Sequence, residues 1–265
     1  MNTLSRRDRV VVAISLATLV ALAWTYLWRG AGMGMSALDM TILTVFPHRE
    51  ANPMPGMTPP PFVWAVALAM WWVMMIAMMT PSVAPLVLLY GRVRRHAVTQ
   101  GGSSATYPSS LSLAAGYLTA WFLMSAAAVA VQYLLQRAGL ISAMMLWSQS
   151  KLLSAAVLLA AGLYQFSSFK HTCLKHCRGP VEFLTRHWRP GWLGAFRMGV
   201  EHGAYCVGCC WVLMALLFVG GVMNLAWIVA LTLLVLAEKL APHGVLIARI
   251  TGVILIGWGT ATLFV

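Results

Sequence analysis

Long uninterrupted runs of apolar residues are the feature that most constrains this chain. A helix needs about 20 consecutive apolar residues to cross roughly 30 Å of hydrocarbon. Seven runs near or above this length follow one another: 10–28, 62–90, 111–136, 146–166, 197–219, 225–240 and 244–264. Because they are continuously apolar, they do not resemble the alternating strands of a membrane β-barrel. The pattern predicts an all-α fold, a polytopic integral membrane helical bundle with about seven transmembrane helices in one domain, 1–265.

Two of these runs carry features that affect the prediction. The second contains Pro81 and Pro85, and proline inside a helix removes a backbone hydrogen bond. We therefore expect a kink there, or an early end of the helix. The first run is long and ends in the aromatic segment 24–28, where a signal peptide would have small residues before its cleavage site. We expect it to be a transmembrane helix.

The charge pattern predicts the orientation of the chain. Charged residues make up only 9% of the sequence, against about 25% in soluble domains. The net charge is +12, but Lys and Arg cluster in alternate connections, which is the pattern of cytoplasmic loops. The clusters are Arg6, Arg7 and Arg9; Arg92, Arg94 and Arg95; and Lys170, Lys175, Arg178, Arg186, Arg189 and Arg197. We expect a bacterial inner (cytoplasmic) membrane protein that contacts the lipid bilayer and no nucleic acid, with a cytoplasmic N-terminus and an extracytoplasmic C-terminus.

Two connections are long enough to have a function. Residues 29–61 form a predicted extracytoplasmic loop rich in Met, Gly and Pro. Residues 167–194 form a predicted cytoplasmic loop rich in Cys, His and Arg. The residues with the most distinctive chemistry lie in these two segments and in the helices next to them.

All five cysteines fall between positions 173 and 210, in two groups that also contain histidine. At about 100° per residue, His202, Cys206 and Cys209 share one stripe of the fifth helix, and Cys210 lies at its border. Thiolate and imidazole ligands select Cu(I) or Zn(II) over hard cations. The sequence therefore predicts a metal site, with copper as the first choice and zinc as the alternative. Its candidate ligands are Cys173, His176, Cys177, His202, Cys206, Cys209 and Cys210.

Methionine gives a second, weaker signal. Thioethers also suit Cu(I) and do not form disulfides in an oxidising compartment, but methionine is equally a common filler of apolar cores. Candidates for soft-metal capture in the outer loop are Met33, Met35, Met54 and Met57. Candidates for a pathway along the second helix are Met74, Met75, Met78 and Met79, for which a core role is the preferred interpretation.

Several stretches follow the pattern of a known bacterial family. They are residues 72–85, 162–166, 173–180, 205–211 and 218–224. Together they resemble the family called domain of unknown function 2182, described as predicted metal-binding integral membrane proteins. The resemblance implies metal binding by the seven Cys and His residues named above, and it implies no settled activity.

These patterns leave three functional hypotheses. The first is copper handling, with transport or delivery of the metal through the Cys/His cluster, and a metallochaperone or other membrane subunits as partners. The second is a membrane thiol–disulfide oxidoreductase that uses Cys206 and Cys209, which form a C-x-x-C motif. The third is a structural or assembly subunit of a larger membrane complex. An enzyme is not the first interpretation, because the sequence shows no buried carboxylate pair and no nucleophile with a positioned base.

Overall fold

The computed structural model describes residues 3–30, 41, 62–99, 106–142 and 146–264. Within these ranges the chain is helical, and pairing of extended segments is confined to one isolated bridge between Ile141 and Ser148. The predicted all-α class is confirmed. The helices are α1 (Thr3–Trp28), α2 (Trp64–Thr99), α3 (Thr106–Arg137), α4 (Lys151–Tyr164), α5 (Ser168–Arg178), α6 (Pro180–His187), α7 (Gly191–Ala215), α8 (Leu217–Gly220), α9 (Leu225–Leu240) and α10 (Gly244–Phe264).

Five helical segments in the described residues are long and apolar enough to cross a membrane. They are Val10–Trp28, Trp64–Arg94, Ser109–Arg137, Gly191–Gly220 and Gly244–Phe264. A sixth candidate is α4 together with α5, which are bent by 64° relative to each other. The sequence indicated about seven, and the difference lies in α4 and α9, which have 14 and 16 residues. At 1.5 Å per residue they are about 21 and 24 Å long.

The helix in the fourth apolar run is shorter than the run, because the first residues of the run are not helical. Leu146 has a positive φ of 57°, which a helix does not allow, and Ser148 takes part in the isolated bridge. Ser150 then caps α4 by accepting a hydrogen bond from the backbone N–H of Leu153 at 3.3 Å. The helix ends at Tyr164, and the chain turns before α5 begins.

The prolines of α2 do not end the helix, which continues through Pro81 and Pro85 to Thr99. The expected early end is therefore wrong, and the expected kink stays a prediction. Side-chain hydroxyl groups supply hydrogen bonds in this turn, because Ser82 and Tyr117 both donate to the carbonyl oxygen of Met79, at 2.8 and 3.1 Å.

Neighbouring helices run in the directions that successive membrane crossings require. The helices α2 and α3 are antiparallel, since the rings of Trp64 and Tyr133 lie 4.9 Å apart at one end and Ser82 contacts Tyr117 at the other. In contrast, α3 and α7 are parallel, and they meet at glycine. A methyl group at Gly199 would overlap the carbonyl oxygen of Leu113.

The helices α4 and α10 also pack through glycine, in opposite directions. A Cβ added at Gly162 would lie 2.9 Å from the carbonyl oxygen of Gly252, and one at Gly259 would lie 2.9 Å from Leu159. Glycine leaves room for close helix contact inside a membrane. Together, the paired directions place the start of α10 at the same end of the bundle as the end of α4.

The methionines of α2 lie in the core. Met70, Met74, Met75, Met78 and Met79 are all at most 2% exposed and belong to the main apolar cluster. This burial agrees with the preferred core interpretation. The predicted outer capture residues Met33, Met35, Met54 and Met57 lie outside the described residues.

The Cys/His/Arg-rich segment 167–194 is largely helical. Ser167 caps α5 by accepting a hydrogen bond from the backbone N–H of Lys170 at 3.3 Å. Gly179 separates α5 from α6, which has Pro180 at its first position, where proline costs no hydrogen bond. The local sequence thus places Cys173 and Cys177 one turn apart on α5, facing α7.

Candidate metal centre

The helices α5 and α7 bring two thiols into direct contact. The Cys177 Sγ lies 3.9 Å from the Cys209 Sγ. Cys209 is buried and Cys177 is half-buried, and neither forms a disulfide. The two cysteines lie on different helices, 32 positions apart in the sequence, so the tertiary fold creates the pair.

The separation of this pair fits joint ligation of one metal ion. Two thiolates bound to a tetrahedral ion at about 2.3 Å each lie about 3.8 Å apart, which is close to the observed 3.9 Å. A disulfide bond requires about 2.05 Å. Two soft sulfur donors at this distance can share one soft metal ion, Cu(I) or Zn(II).

Cys206 sits beside this pair with a different set of partners. Its Sγ accepts a hydrogen bond from the Lys239 Nζ at 2.7 Å and contacts the Tyr117 hydroxyl at 3.0 Å. All three side chains are almost completely buried. The thiols of Cys209 and Cys210 both donate to the Cys206 carbonyl oxygen, at 3.1 and 2.9 Å. Three cysteines of α7 therefore lie around one turn of the helix.

Cys173 completes the group of thiols and lies against Gly208 of α7. Its Sγ would be only 2.8 Å from a Cβ at Gly208, so the absence of a side chain at that position lets the helices come together. The Tyr164 hydroxyl donates to the carbonyl oxygen of the same glycine. Cys173 is itself 5% exposed.

The two candidate histidines are near the thiols but differ in their hydrogen-bond partners. His176 stacks on Tyr205 with ring centroids 4.3 Å apart, and its Nδ1 lies 2.8 Å from the Thr172 carbonyl oxygen. His202 is buried, and within the described residues its Nδ1 has no hydrogen-bond partner. A buried ring nitrogen without a partner is costly, which makes this atom a candidate ligand.

The structure brings the candidates together without forming a complete ligand cage. Across the described residues, no group of three or more His, Cys, Asp or Glu side chains is arranged to hold a metal ion. The arrangement is a close thiol pair with further sulfur and nitrogen atoms around it. The full set of seven ligands therefore stays a prediction.

A buried charged cluster next to the thiols was not assigned to the site from the sequence. The Lys170 Nζ donates to Glu238 at 2.7 Å, and the Gln165 amide donates to the other carboxylate oxygen at 3.1 Å. Lys170 and Glu238 are 1% and 2% exposed. Charged residues inside apolar segments are costly and mark functional sites by default. That rule identifies Glu238 and Lys239 as candidates, whereas Tyr117 gives no sequence signal.

Comparison with known proteins identifies a family. A family model described as copper chaperone (PpoB2) matches residues 68–262, which include every cysteine of the chain. This is a different family from the domain of unknown function 2182 that the sequence stretches resemble, but it supports copper-related metal handling. No curated protein and no solved structure matches the chain.

Proposed function

Because the chain belongs to the copper chaperone family PpoB2, we propose that it is a membrane-embedded protein that binds Cu(I) through its buried thiols and delivers it to a partner. The observation that carries this proposal is the Cys177–Cys209 pair, with its sulfurs 3.9 Å apart. Copper is the cargo here. Zinc is the alternative metal, since thiolate ligands also suit Zn(II).

The surrounding thiols give the site a means of passing the metal on. Cys206, Cys209 and Cys210 lie around one turn of α7, and Cys209 also contacts Cys177 on α5. Cu(I) held by two thiolates can exchange one of them for a neighbouring sulfur without leaving the protein. Cys173, His176 and His202 are proposed as further ligands that join through small movements of their side chains.

A route to the thiols follows α2. Met74, Met75, Met78 and Met79 are buried along this helix. The carbonyl oxygen of Met79 accepts a hydrogen bond from Tyr117, whose hydroxyl also contacts Cys206. The methionine row therefore ends at the thiol site. In this proposal, Met33, Met35, Met54 and Met57 capture copper outside the membrane, and the α2 thioethers pass it inward.

The proposed location is the bacterial inner membrane, with the N-terminus in the cytoplasm. This orientation places the thiol site toward the cytoplasmic side, where cysteines stay reduced. The expected partners are a metallochaperone or other membrane subunits. Lipid contacts the exposed apolar side chains of the outer helices, among them Leu22, Leu123 and Val253.

The test is Cu(I) titration of the protein purified in mild detergent under anaerobic, reducing conditions. We expect wild-type protein to bind Cu(I), and the Cys177→Ser/Cys209→Ser variant to bind it at least about 100-fold more weakly, because both direct ligands are lost. The matched control is Ser125→Ala, which changes a small buried residue on α3 and should bind like wild type. Equal affinity of wild type and the double variant would contradict the proposal.

The same preparation separates the two other hypotheses. A thiol–disulfide oxidoreductase should show a reversible Cys206–Cys209 disulfide with a defined reduction potential. An assembly subunit should purify with a stable partner and bind no metal. Either result would replace copper binding as the proposed function.

A further inference from the structure

We propose that the buried ammonium group of Lys239 makes the thiol site selective for a monovalent over a divalent metal ion. This inference rests on the proposed function, since it concerns how the same site distinguishes its cargo. It assigns a specificity role to a residue that is not a metal ligand.

The position of the ammonium group is the first observation. The Lys239 Nζ lies 2.7 Å from the Cys206 Sγ, and it also donates to the Ser82 hydroxyl at 3.5 Å. The side chain is only 6% exposed. Tyr117 closes the site from α3, with its hydroxyl 3.0 Å from the same sulfur. The positive charge therefore faces sulfur and hydroxyl groups, with little water to screen it.

The second observation is that the adjacent carboxylate is already paired. Glu238 accepts hydrogen bonds from Lys170 and Gln165, so its negative charge is balanced by another lysine. In the part of the chain that the structure describes, no carboxylate forms an ion pair with Lys239. Buried charges need compensation, and the thiol cluster is the group placed to supply it.

The physical consequence does not depend on how many thiolates bind. For any fixed set of thiolate ligands, the Cu(I) complex carries one more negative charge than the complex with a divalent ion. Lys239 therefore attracts the Cu(I) complex more strongly. When the ammonium group lies about 4 Å from the complex, at the effective dielectric constant of a protein interior, one unit of charge on the complex changes the electrostatic energy enough to alter the metal affinity by about tenfold or more.

The experiment measures the ratio of Cu(I) to Zn(II) affinity for the full-length protein in detergent, by competition with a chelator for each metal. We expect Lys239→Met to lower this ratio at least about tenfold, because the charge is lost while the apolar stem is retained. Lys239→Arg keeps the charge and should keep the ratio within about threefold of wild type. The matched control is Lys175→Met, since Lys175 is exposed on α5 and its charge is screened by water.

A double-mutant cycle with Cys206→Ser identifies the cause of the change. If Lys239 acts through the charge of the bound complex, Lys239→Met should lower the ratio by a similar factor in the Cys206→Ser background, whereas loss of the effect there would assign Lys239 to positioning the Cys206 sulfur and overturn the inference. If Lys239→Met does not fold, Lys239→Gln carries the same prediction with a polar, uncharged group. A ratio that is unchanged in the uncharged variant overturns the inference, whereas failure of wild-type protein to bind Cu(I) overturns the proposed function itself.

Discussion

The individual residues that shape the site combine soft donors with buried charge. Cysteine sulfurs supply the binding chemistry, and Lys239 and Tyr117 supply a polar environment around Cys206. The sulfurs could be predicted from the sequence, because two of them share one helical stripe with a third at its border, and the other two lie one turn apart. The contacts of Tyr117 and Lys239 with Cys206 could not be predicted from the sequence. These residues lie on α3 and α9, and only the tertiary packing brings them to Cys206.

The ion pair between Lys170 and Glu238 leads to a prediction at this scale. Replacing Lys170 with Met should destabilise the protein by about 3–5 kcal/mol, because it leaves a buried carboxylate without its partner. The double variant Lys170→Met/Glu238→Met should recover most of this loss, because both charges are removed together. Denaturant unfolding in detergent measures the change.

An exposed pair provides the control for this prediction. Arg186 and Glu182 lie one helical turn apart on α6, with side chains 69% and 48% exposed. Glu182→Gln should change stability by less than about 0.5 kcal/mol, since water screens such pairs. The prediction would be wrong if Lys170→Met were no more destabilising than this surface variant.

At the scale of elements, the bounds of the helices differ from the bounds of the apolar runs in the sequence. The run 146–166 indicated one span, but a positive φ at Leu146 and a cap at Ser150 shorten it to α4. Hydropathy does not register such local backbone features. The same applies to α2, where the sequence shows the prolines but does not show that the helix continues through them.

The methionine row of α2 gives a prediction for one element. Replacing Met74 and Met78 with Leu should leave the fold intact, since this exchange conserves volume and costs less than about 1.5 kcal/mol per site. If the row is a copper route, Cu(I) transfer from outside to the thiols in sealed vesicles should fall at least about tenfold, because a hydrocarbon side chain offers no soft donor. Cu(I) binding by the detergent-purified variant should stay like wild type.

Met223 offers a matched control for that variant. It is also buried, at 1% exposed, but lies between α8 and α9 and not on α2. Met223→Leu should transfer copper at the wild-type rate. Equal transfer by wild type and the Met74→Leu/Met78→Leu variant would assign the row to packing alone.

At the scale of the whole molecule, the direction of each helix shows how the short helix α9 connects the two ends of the bundle. The backbone N–H of Val222, just before α9, donates to the Leu146 carbonyl oxygen, ahead of α4. At the other end, Glu238 contacts Lys170 on α5. Thus α9 begins at the end of the bundle where α4 begins and ends beside the thiol site. It covers this distance with only 16 residues.

This path leads to a prediction about topology. If α9 returns the chain to the side on which α4 ends, α10 must run outward again, and the C-terminus must lie on the opposite side from the N-terminus. The clusters of Lys and Arg then stay in the cytoplasm, as their effect on membrane insertion requires. We expect a reporter fused after residue 265 to report the periplasm, and the same reporter fused after Leu240 to report the cytoplasm. If both fusions report the same side, α10 does not cross the membrane, and the predicted extracytoplasmic C-terminus is wrong.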